Sequence, residues 1–137
     1  MISAAVLCLA MNLYHEARGE SLAGQLAVGF STMNRVADKR YPDTVCGVVK
    51  QAKYHGWDLD NPIRNRCQYS WFCDGKSDNP QDGKAMLEAT ILAQNIYYGA
   101  ITDISEGATH YHAKYVTPYW ADDMTVVLEI DQHIFYR

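Results

Sequence analysis

Four side chains capable of acid–base or electrostatic chemistry lie close together near the N-terminus, directly after an almost entirely apolar stretch, residues 1–11. They belong to the segment Tyr14-His15-Glu16-Ala17-Arg18-Gly19-Glu20. A carboxylate at the end of an apolar helix loses water on one side, and this desolvation raises its pKa. Such a group can donate a proton near neutral pH, so Glu16 is a candidate general acid. On composition alone, a surface Glu16 at a helix end, paired with Arg18 or Arg35, is the favoured interpretation.

Two helices are predicted to position this segment. The first covers residues 3–17, and Gly19 ends it, as a glycine after a helix commonly does. Ser21 is predicted to cap a second helix over residues 22–39, whose apolar residues recur at three- and four-residue steps. Glu16 is therefore expected at the end of a helix, where it can border a cleft.

The rest of the chain predicts shorter elements. We expect a short helix over residues 45–51, capped by Thr44. A loop is predicted over residues 52–66 and an aromatic-rich strand over residues 68–72. A fourth helix is predicted to begin at Asn79-Pro80 and to stop at Gly99. Three strands are predicted over residues 109–112, 125–130 and 133–136, with one helical turn over residues 119–123 between the first and the second. We therefore expect a single α+β domain over residues 1–137, with helices first and a small antiparallel sheet from the later segments.

The composition is that of a folded globular domain. Hydrophobic residues make up 48% and charged residues 20% of the chain, which is incompatible with a disordered protein. The 12 Lys and Arg are outnumbered by 16 Asp and Glu, and the net charge of −4 argues against a nucleic-acid partner. No segment has the length and apolar character of a membrane span.

The four cysteines allow more than one interpretation. Cys8 and Cys46 lie among apolar residues and are predicted to be small core residues. Cys67 and Cys73 flank the aromatic segment and either bridge a tight hairpin or stay reduced, as cytosolic thiols usually do. The spacing matches no standard zinc pattern, so we expect no metal and no cofactor.

Several segments, in this order along the chain, resemble the SleB/CwlJ-type cell-wall hydrolases, the spore cortex-lytic group that includes phage lysins. They are spread over the chain from residue 14 to residue 137. They are the opening segment quoted above and residues 24–28, 34–36, 41–49, 68–71, 107–120 and 133–137.

This resemblance implies a lysozyme-like fold and cleavage of peptidoglycan at the β-1,4 bond between N-acetylmuramic acid and N-acetylglucosamine. It places Glu16 at the position of the family's catalytic glutamate, and for this reason Glu16 is the predicted general acid rather than a surface residue. It also implies a lytic transglycosylase, in which the 6-hydroxyl of the muramic sugar attacks its own anomeric carbon. Glu16 would then act first as acid and afterwards as base. The sequence offers no obvious second carboxylate for two-carboxylate hydrolysis, which agrees with this route.

Supporting roles are predicted for one further carboxylate and three residues of the aromatic segment. Glu20 is expected to accept hydrogen bonds from the backbone N–H groups that begin the second helix, and so to shape the turn that presents Glu16. Tyr69, Ser70 and Trp71 are predicted to form a cleft wall, because sugar rings stack on aromatic faces. The family resemblance extends to this segment, although position 69 tends to be phenylalanine there. Trp71 could equally be a core residue.

Two histidines are predicted to share one face of a strand. His110 and His112 alternate with a tyrosine, so their side chains point the same way. One of them is expected to hydrogen-bond a substrate carbonyl or to orient Glu16. Trp120 is predicted either to extend the cleft or to pack the sheet.

Three other functions stay open from the sequence. One is lysozyme-type muramidase hydrolysis. Another is N-acetylmuramoyl-L-alanine amidase activity, with zinc held by the two strand histidines, His15 or His55, and Glu16; no His-Glu-x-x-His pattern supports it. The third is a glycan-binding module without turnover, which would not need a desolvated acid.

The expected partner is the glycan strand of peptidoglycan, and we expect a monomer. The apolar N-terminus has no preceding Lys or Arg and leads straight into the Glu16 segment, so we interpret it as a buried helix rather than a signal peptide. We therefore expect synthesis in the cytoplasm and action on the wall, in the periplasm or the spore cortex, after release.

Overall fold

The fold consists of a helical part and two small antiparallel sheets. The structure is a computed structural model that describes residues 2–137. The helices are α1 (Ala4–Ala17), α2 (Leu22–Ala37), α3 (Val45–Val49) and α4 (Gly83–Tyr97). The strands are β1 (Ala52–His55), β2 (Asp58–Cys67), β3 (His110–Ala113), β4 (Val126–Ile130) and β5 (His133–Tyr136). Short 3₁₀ helices cover Ser70–Cys73 and Ala121–Asp123. The predicted α+β class is confirmed.

Helix α1 lies at the centre of the helical part and packs against α2, α3 and α4. Its apolar side chains, Val6, Leu9 and Leu13 among them, are almost completely buried. Phe135 of β5 is also fully buried and joins this core, so the sheet packs onto the helices. The last turn of α1, which carries Glu16, is thereby enclosed between helices and sheet.

Side-chain caps begin the helices as the sequence predicts. The hydroxyl of Ser21 accepts a hydrogen bond from the backbone N–H three residues on (3.1 Å), and Thr44 does the same for α3 (3.0 Å). Each cap satisfies an N–H group that has no partner inside the helix. The two predicted caps are confirmed, and both helices end two residues before the predicted position.

Helix α4 begins later than predicted, with Asp82 rather than Asn79 as its cap. The reason lies in α1, because the hydroxyl of Tyr14 accepts hydrogen bonds from the backbone N–H groups of Gln81 and Asp82 (both 3.0 Å). These N–H groups are satisfied without a helical turn, so residues 79–81 stay non-helical.

Residues 52–66, predicted as a loop, instead form the hairpin of β1 and β2. None of its strand residues is buried and most are polar, so backbone pairing holds the strands together and no alternating hydrophobic pattern marks them. The neighbouring residues 68–72, predicted as a strand, instead contribute to the 3₁₀ helix Ser70–Cys73. The other sheet has the order β3-β5-β4, and its three predicted strands are confirmed within one residue at each end.

Both cysteine pairs are bridged. The prediction that Cys8 and Cys46 are free core residues is wrong, because they form a disulfide that ties α1 to α3. An apolar setting does not distinguish a free thiol from a bridged one when the partner lies 38 residues away. Cys67 and Cys73 are bridged as well, and they close the 3₁₀ segment. None of the helices among residues 2–137 combines the length and apolar character needed to cross a membrane.

Candidate active site

Glu16 lies in the last turn of α1 and faces the sheet. Its Oε1 accepts a hydrogen bond of 2.6 Å from the hydroxyl of Tyr111 on β3. Burial raises the pKa of Glu16, and the Tyr111 hydrogen bond and the charges of His133, His15 and Arg35 oppose this effect without overcoming it. The residue as a whole is half-buried. The geometry is that of a desolvated acid held by one donor.

Tyr111 was not singled out from the sequence, although the alternation in this strand places it opposite the two histidines. Burial, followed by the charge of Glu16, raises the pKa of Tyr111 well above its usual range. Tyr111 therefore stays protonated and acts as a donor. Because the hydroxyl engages Oε1, the Glu16 carboxyl has a defined orientation.

The strand histidines share a face, as predicted, but they lie on the face turned away from Glu16. The Nε2 atom of His112 is 2.7 Å from the hydroxyl of Tyr136, and that of His110 is 3.3 Å from the hydroxyl of Tyr41. Both imidazole rings contact the indole of Trp120, with ring centroids 5.0 Å away for His110 and 5.7 Å away for His112. The structure therefore corrects the expectation that one of these histidines orients Glu16, since the strand residue bonded to the carboxylate is Tyr111. Trp120 packs the sheet.

The pKa of His110 is lowered to about 4, first by burial and then by the charges of Arg35 and Arg40. His110 is thus neutral over most of the useful pH range. Among residues 2–137, no group of three or more His, Cys, Asp or Glu side chains is arranged to hold a metal ion. In particular, His110, His112 and Glu16 do not converge as the zinc hypothesis requires.

Glu20 contacts β5 rather than the start of α2. Its Oε1 lies 3.3 Å from Nδ1 of His133. The backbone N–H and the hydroxyl of Ser21 instead donate to Asp131, at 3.0 and 2.6 Å. The capping role predicted for Glu20 therefore belongs to Asp131, because the β4–β5 turn brings this carboxylate to α2 from 110 residues away. These hydrogen bonds lower the pKa of Asp131.

Only part of the predicted aromatic wall borders open space. Tyr69 is 3% exposed and its hydroxyl lies 3.3 Å from that of Thr32, so it lies in the core beneath the site. Trp71 is partly exposed, donates its indole N–H to Asn12 (2.8 Å) and stacks on His15 with a centroid separation of 4.4 Å. Ser70 is exposed at the start of the 3₁₀ helix.

A pocket of about 220 Å³ opens beside the stacked pair of Trp71 and His15. Charged side chains at its border are Arg18, Asp74 and Lys76. Because His15 precedes Glu16 in the same helical turn, this pocket adjoins the segment that carries the candidate acid.

The family model described as Cell Wall Hydrolase matches residues 19–136. The chain belongs to the cell wall hydrolase family. The match begins just after Glu16, so this residue is identified by its environment and not by the family model. As a cell wall hydrolase, the protein is an enzyme, and a site built around one desolvated carboxyl is consistent with that activity. No curated protein matches the chain.

Two solved structures are similar to this cell wall hydrolase over nearly its whole length. One is the catalytic domain of the germination-specific lytic transglycosylase SleB from Bacillus anthracis, 26% identical with a TM-score of 0.69, covering 98% of this chain and 96% of that chain. The other is the catalytic domain of the Bacillus cereus SleB protein, 25% identical with a TM-score of 0.67, covering 100% and 93%. The predicted relationship to SleB-type cell-wall hydrolases is thereby confirmed.

Proposed function

We propose that this cell wall hydrolase cleaves peptidoglycan glycan strands as a lytic transglycosylase, at the β-1,4 bond between N-acetylmuramic acid and N-acetylglucosamine. The observation that carries the proposal is the environment of Glu16, whose carboxyl group is desolvated and held by Tyr111. The likeness to the SleB catalytic domain, titled a lytic transglycosylase, supports the same reaction.

In the first step, protonated Glu16 donates its proton to the bridging oxygen while the bond from that oxygen to the anomeric carbon breaks. The N-acetylglucosamine part leaves with a 4-hydroxyl, and an oxocarbenium-like centre develops on the muramic sugar. In the second step, the Glu16 carboxylate takes the proton of the 6-hydroxyl as that oxygen bonds to the anomeric carbon. The product has a 1,6-anhydro end, no water is consumed, and Glu16 is protonated again.

The surroundings of Glu16 suit both steps. Desolvation keeps the proton on Glu16 before bond cleavage, and the Tyr111 donor together with nearby positive charge stabilises the carboxylate afterwards. The carboxylate of Glu20, four residues on, is paired with His133, and that of Asp131 accepts a hydrogen bond from Ser21. This leaves Glu16 as the proposed sole acid and base.

We assign substrate binding to the exposed part of the aromatic segment. Trp71 lines the pocket beside His15, and the exposed Ser70 directly precedes it in the 3₁₀ helix. A pyranose ring can stack on the indole, and the hydroxyl can bond an acetamido group. Tyr69, His110, His112 and Trp120 act through packing and support this wall and sheet from behind.

We also propose that the enzyme works outside the reducing cytoplasm, at the cell wall, as a monomer. Both cysteine pairs are disulfides, and such bonds persist in oxidising compartments.

The decisive experiment identifies the new chain ends after digestion of purified peptidoglycan, by mass spectrometry. We expect 1,6-anhydromuramic ends, one water lighter than hydrolytic ends, and none from a Glu16→Gln control. Free muramic reducing ends would establish lysozyme-type hydrolysis instead. Released stem peptides with intact glycan strands would establish an amidase.

A further inference from the structure

Arg35 on α2 is a buried cation without an ion pair among residues 2–137. Its exposed fraction is 3%, and its Nε donates a hydrogen bond of 2.6 Å to the carbonyl oxygen of Thr109, at the start of β3. Its Nη1 is buried and has no hydrogen-bond partner among the protein atoms of residues 2–137. No carboxylate of these residues forms a salt bridge with it. A buried charge in this state is costly, so a reason for its retention is expected.

The guanidinium group lies among the rings beneath the active site. Its central carbon is 5.1 Å from the ring centroid of Tyr41 and 5.7 Å from that of Tyr69. The electrostatic effect of Arg35 reaches Glu16, Tyr111 and Tyr69, and in each case it favours the anionic form. Arg35 therefore places a positive charge near Glu16 without forming a salt bridge with its carboxyl group.

We infer that Arg35 is a positioning residue of the active site, which stabilises the Glu16 carboxylate after proton donation and aligns Tyr111 with it by holding β3 at Thr109. The inference rests on the proposed function, in which Glu16 must serve as acid and then as base. In a site with burial alone, the protonated Glu16 carboxyl group would be favoured and the carboxylate disfavoured. The charge of Arg35 offsets part of that penalty while the lack of direct contact leaves the proton available for transfer.

Other groups also face Glu16, and the inference has to be separated from them. They are His15 from α1, Tyr69 from the segment after β2, Tyr111 from β3 and His133 from β5. The histidines carry charge only when protonated, and the tyrosines are neutral at working pH. Arg35 alone among these groups keeps a full charge across the whole pH range of an assay. Its effect should therefore persist where the histidines have lost their protons.

Two variants separate the charge of Arg35 from its packing. Arg35→Gln removes the charge but keeps an N–H donor for Thr109, and Arg35→Lys keeps the charge. The matched control is Arg40→Gln, because the Arg40 guanidinium also lies near Tyr41 (5.5 Å) but is exposed and paired with Asp38.

The first readout is a carbon-13 NMR titration of the five glutamate side chains, with Glu16 assigned by comparison with Glu16→Gln. The second is the pH dependence of kcat/KM. In Arg35→Gln we expect the Glu16 midpoint and the alkaline limb of kcat/KM to move to higher pH, because the carboxylate has lost a favourable charge. We also expect kcat at neutral pH to fall about tenfold, because the carboxylate that forms on proton donation has lost a stabilising charge. The loss should stay well below the roughly 10²–10⁴-fold value of general acid–base catalysis as a whole, since Glu16 itself is retained. Arg35→Lys should return the midpoint towards that of the wild type, and Arg40→Gln should change neither readout.

A folded Arg35→Gln protein with an unchanged Glu16 midpoint would overturn the inference. Failure of both Arg35 variants to fold would do so too, because it would assign Arg35 to the core alone. The proposed function has its own test in the same series. An active Glu16→Gln enzyme would contradict the proposed function. If Glu16→Gln is inactive but the Glu16 midpoint is unchanged in Arg35→Gln, only the role of Arg35 is contradicted.

Discussion

At the scale of single residues, two opposing effects act on the Glu16 carboxyl group. Burial disfavours the anion, while the Tyr111 hydroxyl and the neighbouring positive charges favour it. Burial is the larger effect, so the folded protein holds the proton of Glu16 more tightly than the unfolded chain does. This costs stability at neutral pH and supplies an acid where the proposed reaction needs one.

The first prediction concerns Glu16→Gln. The amide keeps the shape and an oxygen that can accept from Tyr111, but it has no proton to donate. Activity should fall about 10²–10⁴-fold, the usual worth of general acid–base catalysis. Lysis is measured as turbidity loss of permeabilised cells, and glycan binding should remain. A variant that still lyses cells at a near-normal rate would remove Glu16 from its central position.

Thermal melts of the same variant check the sign of the burial effect. Because the folded-state pKa of Glu16 is raised, its ionisation destabilises the fold as pH increases past the ordinary pKa of a glutamate. Gln does not ionise, so the melting temperature of Glu16→Gln relative to wild type should rise from acidic to neutral pH. A difference that does not change with pH would contradict the raised pKa.

The second prediction concerns Tyr111→Phe, which removes the hydroxyl bonded to Glu16 at 2.6 Å. The hydrogen bond lowers the pKa of Glu16, so its loss should move the alkaline limb of kcat/KM to higher pH. It should also reduce kcat, because misplacement of a reacting group can cost on the order of 10²-fold. Tyr115→Phe is the control, since Tyr115 is 87% exposed. Equal pH profiles for the two variants would argue against a role for the Tyr111 hydroxyl.

At the scale of elements, the turn between β4 and β5 joins the sheet to the start of α2. Asp131 in this turn accepts two hydrogen bonds from Ser21, and His133 just after it meets Glu20. These contacts fix the segment between α1 and α2, which directly follows the turn of helix carrying Glu16. The sheet therefore positions the acid from two sides, through Tyr111 and through this turn.

The third prediction is that Glu20→Gln lowers the melting temperature and the activity together. The substitution removes the charge facing His133, and a partly exposed pair of this kind is worth up to about 1 kcal/mol. For a chain of this size that is a few degrees. A Glu20→Gln protein with normal stability but no activity would instead make Glu20 a second catalytic carboxylate.

The fourth prediction separates the two disulfides. The Cys8–Cys46 bridge closes a long loop of 38 residues, and in the chain-entropy model this stabilises the fold by about 4 kcal/mol. The Cys67–Cys73 bridge spans 6 residues and is worth about 2 kcal/mol in the same model. We expect Cys8→Ala/Cys46→Ala to lower the melting temperature more.

We expect Cys67→Ala/Cys73→Ala mainly to raise KM, because that bridge holds the segment carrying Trp71. Thermal melts and steady-state kinetics on the two double variants test both expectations. An unchanged KM in Cys67→Ala/Cys73→Ala would show that the bridge does not shape the cleft.

At the scale of the whole molecule, the helical part supplies the acid and the sheet supplies the groups that tune it. Glu16 comes from α1 and Arg35 from α2, whereas Tyr111 and His133 come from β3 and β5. The separate hairpin of β1 and β2 leads into the 3₁₀ segment that borders the pocket next to His15. The active site therefore requires the complete fold and not one motif.

The fifth prediction is that chelation leaves activity largely intact. The proposed reaction uses one carboxyl group as acid and base and assigns no step to a metal ion. Activity is measured on peptidoglycan before and after EDTA treatment, with a zinc-dependent amidase treated in parallel. Activity that EDTA abolishes and zinc restores would contradict the single-glutamate mechanism.

Local patterns in the sequence predicted the parts of the structure that are held locally. The caps at Ser21 and Thr44, the helices that they begin and the final three strands all follow from hydrogen bonds and periodicity within a few residues. Local features, namely an apolar helix and the glycine that ends it, made Glu16 a candidate, and the family resemblance decided the choice.

The tertiary structure decided which distant groups meet. The Tyr111–Glu16 hydrogen bond, the Asp131–Ser21 cap and the Cys8–Cys46 bridge join residues 95, 110 and 38 positions apart, and no local pattern encodes such pairings. The β1–β2 hairpin was not predicted for a related reason, since exposed strands held by backbone pairing need no hydrophobic alternation. Sequence alone could therefore propose the acid and the direction of its pKa shift, but only the packing of the sheet on α1 determined its hydrogen-bond donor and its neighbouring charges.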